Sequence, residues 1–184
     1  MQKIRSSPLS PPVQNRLFLI TALTLVDSLH FVFARLLLPY ISPGVSAMYV
    51  LAFATLEVGL FGLLSRRIKI ATIRNNLFFF LIIGFLVAAS TNINYEAVAF
   101  IDPGTASLLS QTSIIFGLAL GLLWLRDKLT KRQLIGALIA ITGVLIITFQ
   151  PGDYLRLGSL MVLISAFLYA LHAAVTKRYG SDID

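Results

Sequence analysis

The chain has no cysteine, which excludes disulfides, cysteine-ligated zinc and thiol nucleophiles. It is also poor in charge. Asp, Glu, Lys and Arg make up 12% of its residues, against roughly 25% in a soluble domain. Histidine occurs twice, at His30 and His172. Two imidazoles on separate segments, without carboxylates at ligand spacing, make no metal site. There is no serine elbow, no glycine-rich phosphate loop and no acidic cluster. The sequence therefore reads as a non-enzyme with no cofactor and no segment for ATP. Apolar residues fill the space: they are 57% of the 184 positions, and mean hydropathy is +0.86. The class this implies is an all-α polytopic membrane protein.

Residues 1–15, with Lys3, Arg5 and three prolines among serines, read as a disordered tail that cannot bury a core. Six apolar runs follow, at Leu17–Tyr40, Ser46–Leu64, Asn76–Ile101, Thr105–Leu125, Leu134–Phe149 and Leu157–Thr176. A helix needs about 20 such residues to cross a bilayer. The runs are continuous rather than alternating, so they predict helices and not barrel strands. Punctuation falls between them. Ser42-Pro43-Gly44 separates the first two runs, and Gln150-Pro151-Gly152-Asp153 ends the fifth. Asp102-Pro103-Gly104 predicts an N-cap followed by proline at the first helical position. Thr130 and Gln133 predict a capping box.

The net charge of +7 would invite a nucleic-acid reading in a soluble protein. Here the positions of the charges matter more. Lys3, Arg5 and Arg16 precede span 1; Arg66, Arg67, Lys69 and Arg74 separate spans 2 and 3. Arg126, Lys128, Lys131 and Arg132 separate spans 4 and 5, and Lys177 and Arg178 follow span 6. Thirteen of fifteen basic residues thus share one side, leaving Arg156 opposite and Arg35 inside span 1. The positive-inside rule places both termini in the cytoplasm, in the cell (inner or plasma) membrane. No nucleic-acid partner is needed to explain the basicity. Phe78, Phe79, Phe80, Trp124 and Tyr154 fall near span ends, where aromatics anchor at the interface.

Charged and polar residues at membrane depth are costly and mark pathways or pairings. Asp27 and His30, three apart, share a face of span 1. They read either as a titrating pair for a proton-coupled step or as a neutral hydrogen-bonded pair that holds the span in place. Glu57 needs a partner or a proton, with Arg35 and His30 as candidates. Asn92 and Glu96 share one face of span 3 while Asn94 points elsewhere. With Arg35, Ser110 and Gln111 they would form an outer polar vestibule, or simply solvate the interface. Small residues at spacings of three and four fall on single helix faces: Ala106, Ser110, Ser113, Gly117 and Gly121; Gly136, Ala140 and Gly143; Ala166, Ala170 and Ala174. Such stripes let helices approach closely in lipid.

Span 6 is similar to span 1 at an offset of 142 residues. Asp27-Ser-Leu-His-Phe-Val-Phe-Ala-Arg35 lies over Tyr169-Ala-Leu-His-Ala-Ala-Val-Thr-Lys177. His172 thereby takes the place of His30. Spans 1 and 6 run in opposite directions, so the similarity fits an inverted repeat.

The stretch from Asn92 to Gly152 resembles the EamA type of the drug/metabolite transporter superfamily. The resemblance rests on residues 92–113, on Leu-Arg-Asp-Lys-Leu-Thr-Lys-Arg-Gln-Leu-Ile-Gly-Ala at 125–137, and on Gly-Val-Leu-Ile-Ile at 143–147. Arg126-Asp127 stands where the family usually has Gly-Glu. An arginine often seen early in helix 2 has no counterpart in Tyr49–Phe53. The resemblance implies ten helices in two inverted halves. It makes residues 16–150 a five-helix repeat and 151–184 the first helix of a second repeat, with the chain stopping early. It further implies an exporter of small organic metabolites such as amino acids, working by alternating access without ATP, with protons as a candidate coupling ion. The partners would be the small-molecule substrate and the lipid bilayer, together with a second copy of the chain or a missing C-terminal half. A non-transporting membrane interaction protein, or an inactive fragment, is the alternative.

Overall fold

The computed structural model describes residues 13–65, 70–128, 130–148, 157–181 and 183, apart from the side chains of 13–17, 24, 27, 28, 147 and 148. The described residues form helices and connecting turns, with no strand. The helices are α1 (Val13–Leu37), α2 (Pro43–Leu64), α3 (Ile70–Asn75), α4 (Leu77–Ala97), α5 (Pro103–Ser110), α6 (Thr112–Leu123), α7 (Lys131–Thr148) and α8 (Leu157–Tyr179). Four are long and apolar enough to cross a membrane: α2, α4, the pair α5–α6 taken together, and α8. α1, with 25 residues, and α7, with 18, stand where the first and fifth spans were expected. Large apolar side chains point outward; Phe78 is 77% exposed and Val58 72%. In water that surface would aggregate, whereas in hydrocarbon it is the surface a spanning helix needs. The protein is an all-α polytopic membrane protein.

Helix direction follows from the contacts. A Cβ placed on Gly158, at the start of α8, would meet Ile101, Phe100 and Ala97 just past the end of α4. Gly180, just beyond α8, lies against Phe79 at the start of α4. The two helices are therefore antiparallel. α8 is the hub of the bundle, packed on α4, α6 and α5. Its expected small-residue stripe, Ala166, Ala170 and Ala174, is buried throughout. Ser90 of α4 and Ser165 of α8 interlock at the centre of this contact. Ser165 Oγ donates to Ser90 O (2.8 Å), and Ser90 Oγ lies 3.1 Å from both Ser165 O and Ser165 Oγ. Hydroxyl–carbonyl pairs of this kind hold helices together where water is absent.

Two caps form as the sequence predicts. Thr130 N–H donates to Gln133 Oε1 (2.8 Å), and Gln133 N–H returns to Thr130 Oγ1 (3.3 Å). Asp102 caps α5, accepting from Thr105 N–H at 2.9 Å, with Pro103 in the first turn. Hydrogen bonds from Thr105, and then from Gly104, outweigh partial burial and hold the Asp102 carboxyl below its usual range. A lowered carboxyl contributes stability above the unfolded value, near 3.8, and loses it as pH falls through the folded value. Asp102→Ala is expected to cost about 1 kcal/mol. Asp102→Asn should keep most of the cap but remove this acid-dependent part. Unfolding in detergent across a pH series checks both, and an unchanged acid limb in Asp102→Asn would sink the assignment.

The α6–α7 turn shows what the Gly-Glu departure does. Arg126 has φ 56°, the left-handed region, and this lets Asp127 N–H reach back to Gly121 O at 2.9 Å. Glycine adopts that conformation freely, while other L-residues meet a steric penalty. Arg126→Gly is expected to raise stability by about 1 kcal/mol. A lowered unfolding midpoint would show that the arginine side chain earns its place elsewhere.

Candidate functional site

The fourth span was expected to be one continuous helix, and its α-helical hydrogen-bond pattern breaks for one residue at Gln111, whose backbone stays in the right-handed helical region (φ −66°, ψ −12°). Gln111 N–H bonds Leu108 O (3.2 Å) and Ile114 N–H bonds Gln111 O (3.0 Å), three-residue spacings that tighten the turn. Hydroxyls stand on either side of this break: Ser110 Oγ donates to Ser107 O and Thr112 Oγ1 to Leu109 O, each at 2.7 Å. Hydroxyls that bond back to carbonyls bend helices.

A cavity of about 420 Å³ lies beside this break. α1 contributes Leu23, His30 and Phe31, and α4 contributes Ser90, Thr91 and Asn94. The break supplies Ser110, Gln111 and Ser113, while α8 supplies Ser165, Ala166 and Tyr169. Four of the expected spans thus meet at one chamber. Eight of its twelve lining residues carry a hydroxyl or a side-chain amide, set among apolar surface that makes up the larger part of the wall, with His30 leaning on Phe31 (ring centroids 4.3 Å) and Tyr95 (5.3 Å).

Of the residues singled out in the sequence, His30 and Gln111 reach the cavity. Ser110 and Ser113, expected to serve helix packing, also line it. Asp27 stands on α1, and its side chain lies outside the described residues. Asn92 lies in a separate groove between α2 and α4. A Cβ placed on Gly44 would come within 3.4 Å of Glu96 Oε1 and 3.5 Å of Asn92 Oδ1. Both side chains therefore sit over the first turn of α2, where the helix dipole favours a carboxylate. Asn94, which the spacing argument set aside, is the span 3 amide that faces the cavity. Its signal was present in that same argument, since the two faces had been separated correctly and only their neighbours were unknown.

Arg35 lies outside the cavity wall, and its Nη1 donates to Val98 O at 2.6 Å, tying α1 to the end of α4. Glu57 is exposed on α2 and bonds no described residue. His172 is half-buried one turn beyond Tyr169 (ring centroids 5.6 Å), outside the cavity wall. Gly121 is buried against Asp127. By contrast, a Cβ on Gly117, Gly136 or Gly143 would meet nothing within 4 Å. Ala140 of α7 is half-buried. The α7 stripe thus makes no close approach to described neighbours.

At the opposite end of the bundle, α6 and α8 are fastened together. Lys177 Nζ donates to Asp127 Oδ2 in an ion pair. Arg178 Nη1 donates to Trp124 O (2.8 Å) and stacks its guanidinium 5.4 Å from the Trp124 ring centre.

The described helices form a bundle of apolar, membrane-length segments around a chamber on whose wall polar side chains converge. The chain belongs to the EamA-like transporter family, whose model matches residues 16–149. It is 33% identical over 90 residues to "Uncharacterized transporter in sor 3'region" of Acidianus ambivalens, covering 48% of this chain and 36% of that protein. It is 34% identical over 86 residues to "Uncharacterized transporter YdfC" of Bacillus subtilis (strain 168), covering 44% of this chain and 28% of that one. The matches thus span about a third of the length of these curated relatives. No solved structure matches the chain at a significant level.

Proposed function

We propose that the protein carries small organic metabolites across the cell membrane by alternating access, without ATP, and that the four-span cavity is the transport site. The observation that carries this reading is a chamber where four spans meet near mid-membrane and on whose wall hydroxyl and amide side chains converge, the place where transporters bind solutes. Family membership supports it. The one-sided distribution of basic residues supports placing the Trp124 and Lys177 end, and both termini, in the cytoplasm. On that orientation the cavity lies toward the outer half, since Ser90 and Asn94 belong to the outer part of α4. The inner end is the one fastened by Asp127 with Lys177 and by Trp124 with Arg178. An outward-directed chamber is one state of an alternating-access cycle; the export direction is what the resemblance to the family implies. α8 then opens a second, inverted repeat, with His172 as the counterpart of His30.

The absence of cysteine makes the test direct. Single cysteines at Ser113 and Lys131 can be labelled in right-side-out vesicles without other changes. Membrane-impermeant reagent should reach position 113 from outside and position 131 only from inside. Proteoliposomes given labelled amino acids and other small metabolites should show saturable flux that persists without ATP. Free labelling of both sites from one side, together with no flux of any solute, would end the proposal.

A further inference from the structure

Among the described side chains, two buried polar atoms have no hydrogen-bond partner: Asn94 Oδ1 and His172 Nδ1. Asn94 is the one that lines the cavity. Its Oδ1 bonds no protein group, so this acceptor is left for whatever enters the chamber, and the protein's own hydrogen bonding gives no reason to keep an amide there. The rest of the wall bears on what would satisfy it. The described lining residues include no Asp, Glu, Lys or Arg. Arg35, the described cation nearest in sequence to the α1 wall, is not among the lining residues, and one of its N–H groups donates to Val98 O at 2.6 Å. A carboxylate or phosphate entering this chamber would find no fixed positive charge to replace its water. Hydroxyls and amides are what the wall offers. Ser90 and Ser165 are already bonded to each other, and Ser110 is bonded to Ser107 O. Gln111 and Ser113 hold no side-chain bond to another described residue, so they flank Asn94 as further open partners.

We infer that Asn94 is the specificity-determining residue of this cavity. Its Oδ1 accepts a hydrogen bond from the solute, and the solute is uncharged and polar, of the polyol or carboxamide class. The inference rests on the cavity being the transport site, and it narrows the metabolites that site takes. A site built to bond an O–H or N–H rejects analogues that lack it, because its own group is then left unpaired.

The test uses the full chain in detergent, with radiolabelled erythritol and acetamide as neutral probes. Alanine, lactate and putrescine are the zwitterionic, anionic and cationic probes, and fully O-methylated erythritol is the probe without donors. Erythritol or acetamide should bind, and the charged and methylated probes should not. Asn94→Leu, of similar volume, should weaken neutral-probe binding tenfold or more. It should at the same time leave the ligand-free thermal midpoint unchanged or raised, because it removes an unpaired buried group. A merely structural asparagine would instead lower that midpoint, and this result would overturn the inference. Binding of a charged probe in place of the neutral ones would overturn it too, as would neutral-probe binding within twofold of wild type in Asn94→Leu. In either case, flux in proteoliposomes would keep the transport reading standing. If no probe of any class is bound or moved, the transport reading fails and takes this inference with it.

Discussion

Replacing Phe31 with alanine is expected to lower stability by about 3 kcal/mol, the range for removing a fully buried aromatic side chain. Phe31 is 1% exposed and is the largest of the fully buried side chains. Its position makes the loss hard to absorb. Phe31 and Ala34 are the buried side chains of α1 among the described residues, so the helix is anchored through one face-turn and the Arg35 tie to Val98 O. Lipid already surrounds the rest of α1, and moving its other side chains changes nothing in their surroundings. The void left by alanine opens into the cavity wall, where Phe31 also stands, and His30 loses the ring it leans on. Phe31→Leu keeps most of the volume and should cost less than about 1.5 kcal/mol. Reversible unfolding in mixed micelles measures both. A loss under 1 kcal/mol for alanine (roughly a fivefold change in the folding constant) would mean that α1 is not docked through this residue.

Gly158→Val is expected to cost about 3 kcal/mol, at the upper end of overpacking penalties. A Cβ there would lie 2.7 Å from Ile101 Cγ2, 2.9 Å from Phe100 Cβ and 3.1 Å from Ala97 O. Only the first of these is the end of a flexible side chain. The other two belong to a turn whose backbone is already bonded, with Phe100 N–H and Ile101 N–H both donating to Ala97 O at 2.9 and 3.2 Å. The turn cannot give way without losing those bonds, so α8 must move outward at its first turn. Gly158→Ala should show the same sign with a smaller loss. An unfolding midpoint for the valine variant equal to wild type would contradict the close approach of α8 to the end of α4.

What the sequence revealed and what it hid divide along physical lines. Local chemistry was legible. Asp102 and the Thr130–Gln133 pair cap helices through bonds that span three residues, and such signals do not depend on the neighbours. The Ala166, Ala170 and Ala174 stripe was legible too, because α8 is covered by other helices on that face. The similar stripe on α7, Gly136, Ala140 and Gly143, makes no close approach at its glycines, and spacing alone cannot distinguish the two cases. The same limit explains Asn94. Periodicity separated it from Asn92 and Glu96, but which face meets α8 and which meets α2 is a tertiary fact. The break at Gln111 is flanked by hydroxyls bonded back to carbonyls, an orientation that hydropathy does not register. The Asp127–Lys177 pair joins positions 50 residues apart, beyond the reach of any local rule. Glu57 stands apart from these: the structure leaves it exposed on α2, and no physical account of it follows from the described residues.

The interlocked serines have a mechanical consequence. Ser90 and Ser165 each lie within hydrogen-bonding reach of the other's backbone carbonyl. A slide of one helical turn would break all of these bonds at once, at two side chains that are otherwise buried. α4 and α8 therefore behave as one stator. Any change in the shape of the chamber must come from the parts that are not pinned to it in this way, α1 on one side and the jointed rod α5–α6 on the other. The joint at Gln111 sits where such a rod would flex, next to the solute rather than at a distance from it.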